Sequence, residues 1–334
     1  MNIAVLGAGN WGTTAALLLH RNGHRVKLWE FNETLAAQMT EHRENRLYLP
    51  GFPLPQDILV THVLSDAVKD SDAVVFVVPS AHMRQTACSL KDTGALSRDA
   101  ILVSLSKGLE HESLLTMTGV IGDVIGGHPL VAMSGPCIAS EVARGLPTTI
   151  VSASYDQQAA RTIQDVFMSP SFRVYTSNDP LGIQLGGALK NIIAIAAGIN
   201  DGLGFGTNSK SALITRGIVE MRRFGKILDA RPETFNGLSG IGDLITTCVS
   251  GYSRNRRLGE ELAKGKVLQE VLGEMVMVAE GVPTAKTVYE FSRTNGVDMP
   301  ITAKVYGVLF EGLSPRTAVT ELMMRDRKPE YHSS

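Results

Sequence analysis

The 334-residue sequence predicts an α/β fold in which an N-terminal, doubly wound sheet is followed by an all-helical domain. Up to about residue 178, short β-rich runs alternate with helix-like segments. Runs such as Ala73–Val78 are apolar throughout, which is typical of parallel strands that are covered on both faces. At Asp179-Pro180, a helix N-cap is followed by proline at the first helical position, and helical periodicity then replaces the β-rich runs. We therefore expect two domains, residues 1–178 and 179–334.

The strand predictions rest on runs of β-branched and apolar residues that are bounded by turn residues. Helical segments between the runs supply the right-handed crossovers that a parallel sheet needs. Leu47–Pro55 is predicted to be a loop. An amphipathic helix over Ser209–Phe224, further helices to about Met324 and a frayed polar tail after Arg325 are expected in the second domain. The predicted strands are Ile3–Leu6, Val26–Trp29, Ile58–Thr61, Ala73–Val78, Ile101–Leu105, Leu130–Met133 and Thr148–Ala153.

The composition argues against several classes of function. Hydrophobic residues make up 44% of the chain, charged residues 19%, and the net charge is -1, so nothing attracts the whole chain to nucleic acid or to an anionic membrane. Cys88, Cys137 and Cys248 lie far apart and outside any C-x-x-C spacing, which argues against a disulfide framework or a zinc site. No leader or long apolar run free of charge is evident. We expect a cytoplasmic protein without a metal, membrane or nucleic-acid partner.

A glycine motif follows the first predicted strand and precedes a helical run. The turn begins at Gly7 and reads Gly-Ala-Gly-Asn-Trp-Gly, which matches the dinucleotide-binding pattern G-x-G-x-x-G. Gly7 would allow the tight turn, Gly9 the approach of a pyrophosphate, and Gly12 the packing of the helix on the sheet. Asn10 and Trp11 occupy the turn and are expected to contact the cofactor. The alternative is a turn that binds nothing.

The second predicted strand leads to an acidic residue, Glu30. A carboxylate there can accept both hydroxyls of an adenine ribose and would repel a 2′-phosphate, and no Arg or Lys follows until Arg43. We therefore predict NAD as the preferred cofactor, with NADP as the other candidate. The alternative is that Glu30 is a surface charge. Phe31 is expected to pack either on adenine or in the core.

Lys190 is the one charged residue between Pro180 and Asn200, in a run predicted to form a buried helix. Because burial disfavours an ammonium ion, such a lysine usually has a partner charge or a lowered pKa, as functional lysines do. Gly186 and Gly187 lie on the same helix face and are expected to leave room for a ligand. The alternative is that the glycines serve close helix packing while the lysine stem reaches water.

Six ordered blocks of sequence resemble the NAD(P)-dependent glycerol-3-phosphate dehydrogenases, which interconvert dihydroxyacetone phosphate and sn-glycerol 3-phosphate. The resemblance covers nearly the whole chain. It implies a Rossmann-type cofactor domain, a helical substrate domain, a homodimer and a role in glycerophospholipid synthesis. The blocks are residues 7–12, 106–108 (Ser-Lys-Gly), 134–139 (Ser-Gly-Pro-Cys-Ile-Ala) with 141–143 (Glu-Val-Ala), 189–191 (Leu-Lys-Asn), 240–244 (Gly-Ile-Gly-Asp-Leu) and 253–257 (Ser-Arg-Asn-Arg-Arg).

The resemblance makes Lys190 the residue that exchanges a proton with the substrate oxygen. Hydride delivered to a ketone carbon builds negative charge on the oxygen, which an ammonium ion can stabilise and protonate. Lys107 would lower the pKa of Lys190 whereas Asp243 would raise it, so the direction stays open at this point. Lys107 follows the predicted strand Ile101–Leu105, at the sheet edge where ligands bind, and its alternative is a surface lysine. The expected catalytic residues are Lys190, Lys107 and Asp243.

Two sets of binding residues complete the expectation. Arg254 and Asn255 offer a guanidinium group and an amide to a phosphate, and Ser253 offers a hydroxyl; the alternative is a plain basic loop. The expected substrate-binding residues are Lys107, Gly135, Cys137, Lys190, Asp243, Ser253, Arg254 and Asn255. With the glycine motif and Glu30 included, the expected cofactor-binding residues are Gly7, Gly9, Asn10, Trp11, Gly12, Glu30, Phe31, Lys107, Ala139, Arg254, Val278 and Glu280.

Two places depart from the pattern of the family. Cys137 stands where the bacterial enzymes mostly have Ser or Thr, so a hydroxyl contact to the substrate would become a weaker thiol contact. Residues 29–31 lack the basic residue common in bacterial members and resemble the animal cytosolic enzymes, where a Phe follows at this place. Two alternatives stay open: a related two-domain 3-hydroxy acid dehydrogenase, against which Arg254 and Asn255 argue, and a non-catalytic NAD-binding sensor.

Overall fold

A computed structural model describes residues 1–327 and 329–330 of the chain, and its N-terminal part is built on an eight-stranded sheet. The strands are β1 (Asn2–Leu6), β2 (Arg25–Trp29), β3 (Leu59–Thr61), β4 (Ala73–Phe76), β5 (Ile101–Ser104), β6 (Leu130–Ser134), β7 (Thr148–Ala153) and β8 (Phe172–Ser177). Their order is β3-β2-β1-β4-β5-β6-β7-β8. The pairs are parallel apart from β6 with β7, which is antiparallel. The mostly parallel sheet and its seven predicted strands are confirmed.

Strand β8 was not predicted. It lies at the edge of the sheet, and its sequence alternates buried residues such as Phe172 and Val174 with exposed ones such as Arg173 and Tyr175. A half-buried edge strand needs apolar residues on one face only. The continuous apolar runs that mark the central strands are therefore missing from it.

Helices cover both faces of the sheet. Those of the N-terminal part are α1 (Asn10–Arg21), α2 (Glu33–His42), α3 (Leu64–Val68), α4 (Met83–Asp92), α5 (Met117–Val124), α6 (Ala139–Ala143) and α7 (Gln157–Phe167). Successive strand residues point to opposite faces, so Val75 joins the core that contains α1, α2, α6 and α7, whereas Val74 joins the core that contains α3, α4 and α5. The predicted doubly wound arrangement is confirmed.

The order of the strands reverses at β1. This strand pairs with β2 on one side and β4 on the other, so the connections leave it in opposite directions. Ligands of open α/β sheets bind in the crevice outside the carboxyl ends of the strands at such a point. The turn that starts at Gly7 follows β1 directly and lies at this crevice.

The C-terminal part is helical, as predicted. Its helices are α8 (Pro180–Gly202), α9 (Thr207–Ile227), α10 (Asp243–Val249), α11 (Arg254–Ala263), α12 (Leu268–Gly273), α13 (Gly281–Thr294), α14 (Pro300–Phe310) and α15 (Pro315–Met323). Helix α8 packs against α9, α10, α11, α13 and α14. It is long and apolar enough to cross a membrane, but 94% of its most apolar stretch is buried inside the protein. It is therefore the central core helix of this part.

The start of α8 forms as the sequence predicts. Asp179 is the N-cap, its Oδ1 accepts a hydrogen bond from the amide of Gly182 at 2.9 Å, and Pro180 is the first helical residue. The division of the chain at residues 178/179 stays a prediction. Residues 47–55 are irregular, as expected. The prediction of a frayed tail falls partly on residues 328 and 331–334, which lie outside the described residues.

Candidate active site

Lys190 lies in the middle of α8 with 6% of its surface exposed. Its Nζ donates to Oδ1 of Asp243 at 2.5 Å and to Oγ1 of Thr247 at 2.6 Å. The alternative in which the lysine stem reaches water is therefore wrong. A buried ammonium ion has three donors, and two of them are engaged here, so one is left for a ligand.

Asp243 joins Lys190 to Lys107. It is the first residue of α10, is 2% exposed, and its Oδ2 accepts from Nζ of Lys107 at 2.5 Å. Lys107 follows β5, and its Nζ also donates to the carbonyl of Gly135 at 3.0 Å, so it is not a surface lysine. The prediction that Gly186 and Gly187 leave room for a ligand is wrong, because both serve close packing. An added Cβ at Gly187 would lie 2.7 Å from the Ser134 hydroxyl, and one at Gly186 would lie 2.5 Å from the Ser239 carbonyl oxygen. We call Lys190, Asp243 and Lys107 the Lys-Asp-Lys triad.

Burial sets the pKa of Lys190. Burial lowers it, Lys107 lowers it further and Asp243 raises it, and the pKa of Lys190 comes to about 8. Burial also lowers the pKa of Lys107, but Asp243 and its other neighbours outweigh this effect and hold it above the ordinary value. Because both ammonium ions share one carboxylate, the titrations of the two lysines are coupled, and Lys190 gives up its proton first.

The loop after β6 connects this triad to the glycine turn. The Cys137 thiol donates to the carbonyl of Gly135 at 3.1 Å and lies 3.7 Å from Nζ of Lys107. Burial raises the pKa of this thiol. The indole N–H of Trp11 donates to the Cys137 carbonyl at 2.8 Å, and Ala139 begins α6.

The glycine turn has the geometry that its pattern predicts. Gly7 has φ +104°, and an added Cβ would lie 2.8 Å from the carbonyl oxygen of Val77. A Cβ at Gly12 would lie 1.7 Å from the Gly7 carbonyl oxygen, so only glycine fits. At Gly9, by contrast, a Cβ would meet nothing within 4 Å. The turn is thus packed at both ends and open at its centre.

Two family models together match most of the chain. Residues 2–160 match the family model of the NAD-dependent glycerol-3-phosphate dehydrogenase N-terminus, and residues 179–320 match that of the C-terminus. The chain belongs to the NAD-dependent glycerol-3-phosphate dehydrogenase family. The prediction of the family is confirmed.

Relatives of this dehydrogenase family match over almost their entire length. A glycerol-3-phosphate dehydrogenase [NAD(P)+] of Geobacter metallireducens is 49% identical over 98% of both chains. The crystal structure of glycerol-3-phosphate dehydrogenase from Coxiella burnetii is 36% identical, with a TM-score of 0.93 over 97% of this chain and 99% of that one. The enzyme from Plasmodium falciparum is 28% identical, with a TM-score of 0.89 over 98% and 96%.

The residues of the glycine turn fit the dinucleotide that the family uses. Oδ1 of Asn10 is buried and has no hydrogen-bond partner among residues 1–327 and 329–330, which marks a polar group that a ligand would satisfy. The N-terminus of α1 lies at the open centre of the turn, where backbone amides favour an anion. A pyrophosphate therefore has both space and donors here.

The residues at the end of β2 differ from one another in exposure. Glu30 is 6% exposed, so the alternative of a surface charge is wrong, and its carboxylate accepts from the amide of Asn32 at 3.0 Å. Burial raises the pKa of Glu30, while the amides of Asn32 and Ala8 act in the opposite direction. Phe31 is 76% exposed, so it is not a core phenylalanine and its ring is free to meet a ligand.

A second group of expected residues gathers around the start of α11. The Ser253 hydroxyl oxygen caps this helix by accepting from the Arg256 amide at 3.2 Å, and Arg254 follows it with an exposed side chain. Asn255 is buried; its amide donates to Oδ1 of Asn191 at 3.0 Å and accepts from the Gly281 amide at 2.9 Å. Asn255 thus already serves as a link between α8, α11 and α13.

Glu280, in the helical part, is bound by Ser80, which follows strand β4 of the sheet. Its carboxylate accepts from the amide of Ser80 at 2.9 Å and from the Ser80 hydroxyl. Burial raises the pKa of Glu280, while its bonds to Ser80 and the nearby Arg254 lower it. Val278 is 47% exposed in the same loop. The expected cofactor residues of this loop therefore lie at the junction of the two parts of the chain.

Sequence reasoning missed two residues of the site. Thr247 accepts from Lys190 and donates to the backbone carbonyl of Asp243 at 2.7 Å. Its position, four residues after Asp243, was a usable signal, because residues so spaced share a helix face. Ser80 follows the end of β4 and binds Glu280; only the three-dimensional structure pairs residues that are so far apart in the sequence.

Proposed function

We propose that this chain interconverts dihydroxyacetone phosphate and sn-glycerol 3-phosphate with NAD(P)H, as a step of glycerophospholipid synthesis. Membership of the glycerol-3-phosphate dehydrogenase family supports the reaction. The observation that carries the proposal within this structure is the Lys-Asp-Lys triad, in which Asp243 contacts both lysines at 2.5 Å. It supplies a cation and a proton donor at one place, as reduction of a ketone requires.

Lys190 acts as the proton donor to the substrate oxygen. The bound nicotinamide would supply the hydride. With a pKa of about 8, Lys190 is about 90% protonated at pH 7, so it can give a proton to an oxygen that becomes negative. In the reverse direction, neutral Lys190 takes the proton of the alcohol. Asp243 and Thr247 fix the position of Nζ and leave its third donor for the substrate oxygen.

Lys107 stays charged while Lys190 titrates. Its raised pKa suits a residue that attracts the anionic substrate and stabilises negative charge on its oxygen. Gly135 and Cys137, which lie against Nζ of Lys107, would line the same subsite. The substrate phosphate would lie at the start of α11, where Arg254, the Ser253 hydroxyl and the second N–H of the Asn255 amide provide donors.

The cofactor would bind across the open glycine turn, with its adenine ribose toward Glu30. We propose NAD as the preferred cofactor, since the carboxylate of Glu30 would repel a 2′-phosphate and residues 29–31 offer it no cation. Phe31 would pack on the adenine, because its ring is exposed beside Glu30. Ala139, Arg254, Val278 and Glu280 would close the other end of the cofactor site.

Two alternatives have less support. A 3-hydroxy acid lacks the phosphate that Arg254 would bind, and the full-length family match does not favour it. A sensor without catalysis would not need a buried lysine with a lowered pKa. We further propose that the enzyme is a cytoplasmic homodimer divided at residues 178/179. Light scattering would test the dimer, and limited proteolysis the division.

The proposal is tested by steady-state oxidation of NADH, with NADPH run in parallel, after dihydroxyacetone phosphate is added to the purified protein. Rapid loss of NADH absorbance, with NADPH slower, is the expected result. Equal rates would leave the reaction in place and remove the preference for NAD. Faster turnover of a 3-hydroxy acid without a phosphate than of glycerol 3-phosphate would contradict the proposed substrate.

A further inference from the structure

Asn45 is a buried polar residue outside the sites described so far. It lies in the irregular segment between α2 and β3, which we call the 43–58 segment, and its exposed fraction is 0%. A buried carboxamide needs partners for its oxygen and for its N–H groups. The acceptors of its N–H groups are Ala8 in the glycine turn and Thr13 in the first turn of α1, more than thirty residues earlier in the chain.

Both donors of the Asn45 amide are used on the turn. Nδ2 donates to the carbonyl oxygen of Ala8 at 2.6 Å and to Oγ1 of Thr13 at 2.8 Å. The Thr13 hydroxyl in turn donates to the Ala8 carbonyl at 3.2 Å. Oδ1 of Asn45 accepts from the amide of Tyr48 at 3.1 Å. A flipped amide would place Oδ1 against the Ala8 carbonyl, so these contacts define one orientation.

The contact with Ala8 determines where the next amide points. In a trans peptide the C=O of one residue and the N–H of the next point in opposite directions. Holding the Ala8 carbonyl against Asn45 therefore directs the N–H of Gly9 away from the core. An added Cβ at Gly9 meets nothing within 4 Å, so the turn is open around this residue. A pyrophosphate in this open space would accept a hydrogen bond from the Gly9 amide.

The 43–58 segment is itself closed by hydrogen bonds. The backbone carbonyl of Arg43 accepts from the amide of Leu54 at 2.7 Å. The Arg43 guanidinium donates to the carbonyl of Ile58 at 2.9 Å and to that of Pro55. Leu49 and Leu54 are buried in the same core as α1. Asn45 is thus carried by a fixed element and not by a free loop.

We propose that Asn45 is a positioning residue that holds the Ala8–Gly9 peptide in the orientation that binds the pyrophosphate of the cofactor. It touches neither cofactor nor substrate and acts through the backbone of the turn. The inference rests on the proposed function only in naming the dinucleotide as NADH. It predicts that loss of the Asn45 donors weakens cofactor binding without changing the chemical step.

The test is Asn45→Asp, which keeps the size of the side chain and replaces both donors by an acceptor that the Ala8 carbonyl repels. We expect the dissociation constant of NADH, from fluorescence titration, to rise about 10- to 100-fold, because the two buried hydrogen bonds that hold the turn are lost. The KM for NADH should rise with it. The kcat at saturating NADH should stay within about threefold, since the triad is untouched.

Asn22→Asp is the matched control. Its Nδ2 donates to the carbonyl of Val166 at 3.0 Å, at the far end of α1 from the turn. It should lower the melting temperature without changing the NADH dissociation constant. Thr13→Val, which adds no charge near the pyrophosphate, removes the hydroxyl that accepts from Asn45 and donates to the Ala8 carbonyl. A smaller rise in the same constant is expected, and this variant also carries the test if Asn45→Asp does not fold.

An unchanged NADH dissociation constant in folded Asn45→Asp, or an equal rise in Asn22→Asp, would overturn the proposal. The titration needs no turnover. If the unmodified protein binds NADH but does not reduce dihydroxyacetone phosphate, the proposed function fails while the role of Asn45 is still measured.

Discussion

The cofactor end and the lysine end of the cleft are built in different ways. The glycine turn is contiguous in sequence, and it would bind the cofactor through its backbone. The amides at the start of α1 are the donors, and Gly9 leaves the space. The Lys-Asp-Lys triad brings together side chains from residues 107, 190 and 243, each on a different element. The cofactor end depends on glycines, which have no side chain. The lysine end depends on charged side chains that are held close together. The two should therefore respond differently to substitution.

The largest effect is expected at the lysine end. Lys190→Ala removes the proton donor and should lower turnover by about 10²- to 10⁴-fold, while the NADH dissociation constant stays nearly unchanged. Steady-state kinetics and fluorescence titration measure the two quantities separately. Lys304→Ala, which removes a lysine paired with Glu321 in the helical part, is the control and should retain full activity. Unchanged turnover in Lys190→Ala would exclude Lys190 from the mechanism.

The cofactor end should show the opposite pattern. Gly9→Ala adds a methyl group where the protein has space and where φ is -65°, so the protein should fold with unchanged stability. The methyl group would occupy the approach of the pyrophosphate, and we expect NADH to bind about 10- to 100-fold more weakly. Thermal unfolding and fluorescence titration measure the two effects.

Gly12→Ala is the comparison for Gly9→Ala, because it is expected to change the stability of the protein. Its Cβ would lie 1.7 Å from the Gly7 carbonyl oxygen, so it should lower the melting temperature before any ligand is added. If Gly9→Ala binds NADH as tightly as the unmodified protein, the open centre of the turn is not the pyrophosphate site.

The pH dependence of catalysis tests the coupling within the triad. Reduction of the ketone needs protonated Lys190, so its rate should fall about tenfold per pH unit above a midpoint near 8, and oxidation should rise through the same midpoint. Asp243 raises the pKa of Lys190, so Asp243→Asn should move the midpoint below 8. Initial rates in both directions between pH 6 and pH 10 measure it. A midpoint that does not move in Asp243→Asn would place the titration on another group.

The same contrast explains what the sequence could predict. The seven predicted strands and the turn after β1 are local patterns of apolar runs and glycines, and they were confirmed. The burial of Lys190 could be predicted from its apolar neighbours in the sequence. The direction of its pKa shift could not, because the shift depends on how Lys107 and Asp243 lie around it. Ser80 and β8 were missed because the partner of Ser80 and the edge position of β8 are set only by the fold. Thr247 was missed although its spacing from Asp243 was a usable signal.

The smallest effect is expected at Glu30, which combines features of both ends. It is a buried charge, like the triad, but it lies at the end of β2 next to the glycine turn. Glu30→Ala should weaken NADH binding roughly tenfold, the scale of a lost hydrogen bond to a charged group. It should also narrow the difference between the KM values for NADH and NADPH, because the charge that opposes a 2′-phosphate is gone.

Glu33→Ala is the control for this prediction, since it removes an exposed carboxylate three residues further along. It should alter neither constant. The same experiment tests a second role for Glu30, the support of the glycine turn. Its carboxylate accepts from the Asn32 amide, and the backbone amide of Ala8 lowers its pKa. A lower melting temperature in Glu30→Ala with an unchanged ratio of the two KM values would show that Glu30 supports the turn and does not select the cofactor.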